Sequence, residues 1–177
     1  MRSAAELRLR PPRPEDEQAV RRAHEELAAD GFGFLFSPDR PWAEQLRRME
    51  DERLGRHLPP GRVRGTYLVA VVDTPVGEEV VGRVSIRHEL TPQLLEIGGH
   101  VGYAVRPAFR GRGYATRMLA AAVELLRGEG VDRVLVTCAD DNPASAAVIE
   151  RCGGVLEDVR TPEGGRPTRR YWIATRG

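Results

Sequence analysis

The chain has 177 residues, 41% of them hydrophobic and 30% charged, which excludes a disordered chain and suits one domain, residues 1–177, with a sizeable core. With 27 Lys+Arg against 26 Asp+Glu the formal net charge is +1, so no global field recruits nucleic acid or an anionic membrane, and any anion site is local. Cys138 and Cys152 form no CxxC and join no His cluster, which excludes a zinc site and a disulfide scaffold. No apolar run, in MRSAAELRLR or beyond, has the length of a signal core or a membrane span, so a cytoplasmic location is expected.

Leu7–Arg10 alternates like a short strand and stops at Pro11-Pro12. Pro14, followed by Glu15, Asp16 and Glu17, starts a helix with acids on its positive end, and the stripe Ala19, Val20, Ala23, Leu27 carries it to about Asp30. GFGFLFSPDRP is turn-rich yet aromatic and reads as an ordered loop lining a pocket. Pro41 opens a second amphipathic helix through Trp42, Leu46 and Met49, ending near Gly55. Tyr67–Asp73 and Val80–His88 form a hairpin, and Ile97–Val105 is the next strand, with Gly98, Gly99 and Gly102 marking a bulge or a close backbone approach. Ala115, Met118, Leu119, Ala122, Leu125 and Leu126 then repeat at helical spacing up to Gly128 and Gly130. Val131–Cys138 is a buried strand reached by a parallel crossover, and Asn142-Pro143 opens a helix that ends at Cys152-Gly153-Gly154. Val155–Arg160 and Arg170–Ala174 close the sheet as an antiparallel pair joined by TPEGGRPT, where Arg166, Arg169 and Arg170 read as a solvated tip.

The turn between the fourth strand and the long helix reads Val105-Arg106-Pro107-Ala108-Phe109-Arg110-Gly111-Arg112-Gly113-Tyr114-Ala115-Thr116. A glycine-rich turn that opens a helix aims several main-chain N–H groups, and the positive end of the helix dipole, at one spot. Arg110 and Arg112 add forked donors, while Gly111 and Gly113 leave no Cβ in the way, a design that suits a pyrophosphate. Gly113 is followed by Tyr114-Ala115 rather than Lys-Ser/Thr, which excludes a Walker loop, and the glycine spacing breaks the dinucleotide fingerprint.

Arg110-Gly111-Arg112-Gly113-Tyr114-Ala115 resembles the Arg/Gln-x-x-Gly-x-Gly/Ala loop of the GNAT acetyltransferase superfamily, and Asn142-Pro143-Ala144-Ser145 with the Gly153-Gly154 exit resembles its second core motif. Ile86-Arg87-His88-Glu89-Leu90 and Gly99-His100-Val101-Gly102-Tyr103 are similar to a subgroup of uncharacterised acetyltransferases. The resemblance implies an α/β fold: a mixed, mostly antiparallel sheet flanked by helices, its fourth and fifth strands splayed to admit acetyl-CoA as co-substrate, with no metal. It places the pantetheine arm along Tyr103, Ala104 and Val105, the pyrophosphate on Arg110, Gly111, Arg112, Gly113, Tyr114 and Ala115, and Asn142 and Ser145 on the facing helix. The implied activity is direct transfer of acetyl to a primary amine, on a small molecule or a protein, in a ternary complex, with a homodimer compatible with the family.

An alkylamine with a pKa of roughly 10 has to lose a proton before it attacks, and Glu96 or His100, on one strand at equal parity, are the candidate bases beside water. His100 reads equally as a strand histidine bonded to backbone, and Arg87 and His88 either meet an acidic substrate or lie in solvent. The family's proton-donating tyrosine falls on Ile149, so Cys138, Ser145, Tyr103 or water has to protonate the departing thiolate. That gap keeps open an alternative of another class, a non-catalytic CoA-binding sensor or regulatory module. Acceptor choice falls to the loops Gly31–Pro41, Arg87–Glu96 and Thr161–Thr168.

Overall fold

A computed structural model describes residues 6–176; the first five residues of the MRSAAELRLR segment and Gly177 lie outside the described residues. Strand β1 (Leu7–Arg10) ends at the proline pair and leads through a single 3-10 turn, Pro14–Asp16, into helix α1 (Glu17–Ala28). Helix α2 (Trp42–Arg53) follows the aromatic loop. Strands β2 (Gly65–Thr74) and β3 (Gly77–Arg87) form the expected hairpin. Then come α3 (Pro92–Glu96), β4 (Val101–Val105), the long helix α4 (Tyr114–Gly128), β5 (Arg133–Ala139), α5 (Pro143–Arg151) and the hairpin β6 (Gly154–Arg160) and β7 (Thr168–Ala174).

The seven strands lie in the order β1-β2-β3-β4-β5-β7-β6, every neighbouring pair antiparallel except β4 and β5. This is the mixed, mostly antiparallel sheet that the motifs implied. Helix α4 buries Tyr114, Met118, Leu119, Ala122, Val123 and Leu126 against one face, the i, i+4 stripe expected of a helix on a sheet. Helices α1 and α2 cover the other face through Val20, Ala23, Leu27 and Trp42, joined by Phe34 and Leu35 of the aromatic loop. Among the described residues no helix is long and apolar enough to cross a membrane.

Two sequence expectations need correction. The strand expected over Ile97–Val105 is shorter: Thr91 Oγ1 accepts from Leu94 N at 3.2 Å and Pro92 takes the first helical position, so the segment starts as helix α3. The chain then bends at Gly98 (φ 101°) and Gly99 (φ 59°) before β4 begins. A Cβ at Gly99 would lie 2.4 Å from the Leu135 carbonyl oxygen, so the close approach read from this glycine is that of β5's own backbone. Arg170 is also no part of a solvated tip. It lies on the inner strand β7, is 3% exposed, and pairs with Asp158 and Glu157 at 2.9 Å.

Candidate active site

Strands β4 and β5 meet at a single registered pair, Val101 and Val136. The contact is reinforced on its N-terminal side, where His100 N donates to Leu135 O at 2.8 Å, Leu135 N donates to His100 Nδ1 at 2.9 Å, and Gly98 N donates to Thr137 Oγ1 at 3.1 Å. Past Val101 the two strands have no further registered pair, which makes the junction a V open toward the end of β4. On its other edge β4 pairs with β3 in full, from Val101 opposite Ile86 to Val105 opposite Gly82. Arg87 N donates to His100 O and Arg106 N to Val81 O, so the even-numbered residues of β4 bond to β3. By the same alternation Tyr103 and Val105 turn their main-chain N–H and C=O groups into the V, and Ala104 turns its own toward β3.

Directly after β4 the chain makes a 3-10 turn, Pro107–Phe109, and reaches α4 through Gly111 (φ 74°) and Gly113 (φ 75°). Both are left-handed, and a Cβ on either would stand in open space, so conformation rather than crowding demands glycine here. No side chain caps α4, and among the described residues the amides of Gly111, Arg112, Gly113, Tyr114 and Ala115 donate to no protein acceptor. These open donors, on the positive end of a helix dipole and free of Cβ atoms, fit a diphosphate.

The turn is held from behind by a residue that the motif reading passed over. Arg106 is 5% exposed; its Nε and Nη2 each bond the Glu26 carboxylate at 2.8 Å, and Nη1 donates to Val80 O at 2.7 Å. Its only sequence signal was the position between Val105 and Pro107, where a strand stops. Arg110 and Arg112 remain on the surface. Arg110 pairs with Asp30 at 2.6 Å and donates to Val105 O at 3.3 Å, and Arg112 donates to Ala108 O at 3.1 Å.

From the far side α5 faces the V. Asn142 caps it, its Oδ1 accepting from Ser145 N at 3.0 Å, and the Ser145 hydroxyl lies 2.8 Å from Tyr103 Oη. Burial pushes Tyr103 up to about 12, against the hydrogen bond from Ser145, so the phenol keeps its proton at neutral pH. Cys138, at the end of β5, is buried, and burial pushes its thiol up as well. Tyr103 and Ser145, two of the four expected sources of a proton, therefore meet just past the apex of the V, and the Cys138 thiol stays protonated near the end of β5. Ile149, in the place of the family tyrosine, is buried completely in the core.

The two candidate bases are not brought together. Glu96 lies on α3, so the parity argument lapses, and its carboxylate pairs with Arg160 of β6. His100 is 5% exposed, and burial pulls it down to about 4, helped by the nearby charges of His88 and Arg87. Its Nδ1 lone pair is occupied by the Leu135 amide; in the neutral ring Nε2 then carries the hydrogen, and no lone pair is left to accept a proton. His88 is engaged too, its Nδ1 2.5 Å from Glu129 and its Nε2 2.8 Å from Thr66 Oγ1. Among the described residues no group of three or more His, Cys, Asp or Glu side chains is placed to hold a metal.

The same fold recurs in a set of solved structures. RimJ of Mycobacterium smegmatis, in complex with CoA-disulfide, is 21% identical, with a TM-score of 0.72 over 97% of this chain and 83% of that one. RimL, a ribosomal L7/L12 alpha-N-protein acetyltransferase in complex with coenzyme A, is 19% identical, with a TM-score of 0.67 over 97% and 95%. The microcin C7 self-immunity acetyltransferase MccE, in complex with acetyl-CoA and AMP, is 17% identical, with a TM-score of 0.66 over 96% and 92%. At these identities the likeness is one of fold. No curated protein matches the sequence. The family signature described as "Acetyltransferase (GNAT) domain" matches residues 6–155, so the open amides at the head of α4 and the V beside them stand in a chain that belongs to the GNAT acetyltransferase family.

Proposed function

We propose that this chain is an N-acetyltransferase, one domain over residues 1–177 working in the cytoplasm, which moves acetyl from acetyl-CoA to a primary amine by direct attack in a ternary complex. The observation that carries the reading is the row of undonated amides from Gly111 to Ala115, set next to the V between β4 and β5. Those amides hold the diphosphate, and Tyr103 and Val105 offer main-chain groups to the pantetheine arm as a strand would. Acetyl-CoA supplies an activated acyl group with a thiolate as leaving group.

The chain's own contribution is positioning and proton handling. An N–H from the end of β4 faces the thioester carbonyl and stabilises charge on its oxygen. The Tyr103–Ser145 hydroxyl pair, 2.8 Å apart, donates to the departing sulfur. The amine proton leaves through water, because the lone pair of His100 Nδ1 is taken and Glu96 is paired with Arg160. In this reading His100 is a positioning residue that anchors the closed side of the V.

The same observations favour one other reading, a CoA-binding sensor without turnover, since the two candidate bases, His100 and Glu96, are both engaged elsewhere. Thiol release from acetyl-CoA, measured across a panel of primary amines alongside calorimetric CoA binding, separates the two. Amine-dependent release supports the enzyme; CoA binding with no release under any amine supports the sensor.

A further inference from the structure

Buried arginines in this protein come with carboxylates. Arg10 pairs with Asp16 and Glu78, Arg106 with Glu26 and Glu79, and Arg170 with Glu157 and Asp158. Two arginines of β3 break that pattern. Arg83, 3% exposed, and the half-buried Arg87 have no carboxylate within 4 Å among the described residues. Alternation along β3 puts them, with Ser85 between them, on the sheet face opposite Val84 and Ile86.

The environment of each leaves donors over. The faces of the Arg83 guanidinium are covered by Phe32 at 4.8 Å, Phe36 at 4.9 Å and Tyr67 at 5.8 Å, the contacts of a cation over rings. Ring faces do not satisfy edge N–H groups, and of these Nη2 donates to Gly33 O at 3.0 Å while Nε is buried without a partner. Arg87 Nη1 donates only to Gly98 O, at 3.2 Å. Both guanidiniums converge on one point: a Cβ built on Gly102 would stand 3.7 Å from Arg87 Nη1 and 3.8 Å from Arg83 Nη1. Gly102 is the residue before Tyr103, at the apex of the V. Burial, with Arg87 close by, pulls Arg83 down to about 10, so it is still charged at neutral pH. Arg87 and Ser85 also line a cleft of about 220 Å³ with Thr66, Tyr67 and Gln93, and the one further arginine on its wall, Arg62, is paired at 3.0 Å with Glu52, the carboxylate on that wall. Uncompensated charge in low dielectric is costly, and here two like charges repel each other beside an open cleft.

We propose that the amine acceptor also carries a compact oxyanion, a carboxylate or a phosphate, which Arg87 and Ser85 grip in this cleft while Arg83 behind them supplies field. Arg87 offers the planar fork that matches either anion, and Ser85 a hydroxyl donor. Arg83, locked by its three rings, is a positioning and electrostatic residue. The word acceptor rests on the acetyltransferase reading; the anion site does not.

The test loads the protein with CoA, which has no acetyl to transfer, and titrates it calorimetrically with matched amines: glycine against glycinamide, γ-aminobutyrate against butylamine, and O-phosphoethanolamine against ethanolamine. The anionic member of at least one pair is expected to bind between about tenfold and a thousandfold tighter than its neutral partner, and the responding pair tells carboxylate from phosphate. Arg87→Gln is expected to abolish the preference and Arg87→Lys to keep part of it; because Arg87 stands on the cleft wall, neither depends on the packing around Arg83. Equal binding within every pair, no binding by any anionic member, or a preference that survives Arg87→Gln overturns the proposal. Thiol release measured with acetyl-CoA and the same amines keeps the two readings apart. Turnover without anion preference refutes the anion site alone, and anion binding without turnover refutes the enzyme alone.

Discussion

Leu135 gives both of its backbone groups to His100, its N–H donating to Nδ1 at 2.9 Å and its carbonyl accepting from the His100 amide at 2.8 Å. The bend at Gly98 and Gly99 takes the main-chain carbonyl away from the place where a parallel partner would offer it, and the imidazole stands in as acceptor. One side chain thus anchors the closed end of the junction between β4 and β5, and the V opens just beyond it, past Val101.

This bond has a sign that titration reads. Folded His100 takes a proton only near pH 4, whereas in the unfolded chain it does so near its ordinary value of 6.5. Between those values the unfolded state binds more protons, so stability is lost as pH falls through this window. From pH 7.5 to pH 5 the loss from this group is expected to reach about 2 kcal/mol. Urea unfolding at the two pH values measures it, and His100→Asn, which keeps an acceptor and cannot titrate, should lose clearly less. An equal loss in the variant assigns the effect to other groups.

How much of this was legible beforehand differs from element to element. The head of α4 was readable because two glycines between arginines, followed by an apolar stripe of period 3.6, leave few physical uses for that turn. The V was readable only through family motifs, since strand divergence has no local sequence signal. The sequence leaves His100 open between a base and a histidine bonded to backbone because its partner, Leu135, lies on a strand whose register no local pattern reveals. The sequence puts Glu96 on a strand because Thr91-Pro92, the helix start, lies just outside the apolar run. Arg83 had a signal, a lone arginine inside the otherwise apolar VVGRVSI, but only the structure shows that no carboxylate answers it.

Gly113 joins backbone geometry to coenzyme binding. At φ 75° an alanine is strained by about 1 kcal/mol, and its Cβ would enter the open space over the amides. Gly113→Ala is expected to fold with that modest loss in urea and to weaken CoA binding at least about tenfold, the share of one or two main-chain hydrogen bonds to a charged group. Unchanged affinity in a folded variant removes the phosphate from this turn.

Arg106 and Arg110 are close in sequence and opposite in task. Arg106 is buried against Glu26 and the Val80 carbonyl, so Arg106→Ala leaves charge and acceptors behind and is expected to cost roughly 2–4 kcal/mol. Arg110 and Asp30 are each half-exposed, and Arg110→Ala should change stability by less than about 1 kcal/mol. Its loss is expected to appear in CoA affinity, and with a weaker salt dependence of binding than the unaltered chain. Thermal melts and CoA titrations at two salt concentrations test both; a destabilised Arg110→Ala with normal CoA affinity reverses the assignment.

Tyr103 and Ser145 offer the sharpest test of the chemistry, because each is the other's hydrogen-bond partner across the V. A thiolate leaving group, with a pKa of about 8.5 for an ordinary thiol, is stabilised by a donated hydrogen bond, and burial keeps the Tyr103 phenol protonated to supply one. Tyr103→Phe and Ser145→Ala are each expected to lower kcat by about a hundredfold, at the modest end for general acid catalysis, while the KM for acetyl-CoA moves little. If the two hydroxyls act as one relay, the double variant is no slower than the worse single one, since removing either breaks the same chain of protons. Multiplying losses would mean two independent donors. Cys138→Ala serves as the control, expected to keep its rate because the proposed relay runs through the two hydroxyls and not through the thiol. A loss there equal to that of Tyr103→Phe moves the proton source to the sulfur and leaves the hydroxyl pair a structural bridge between β4 and α5.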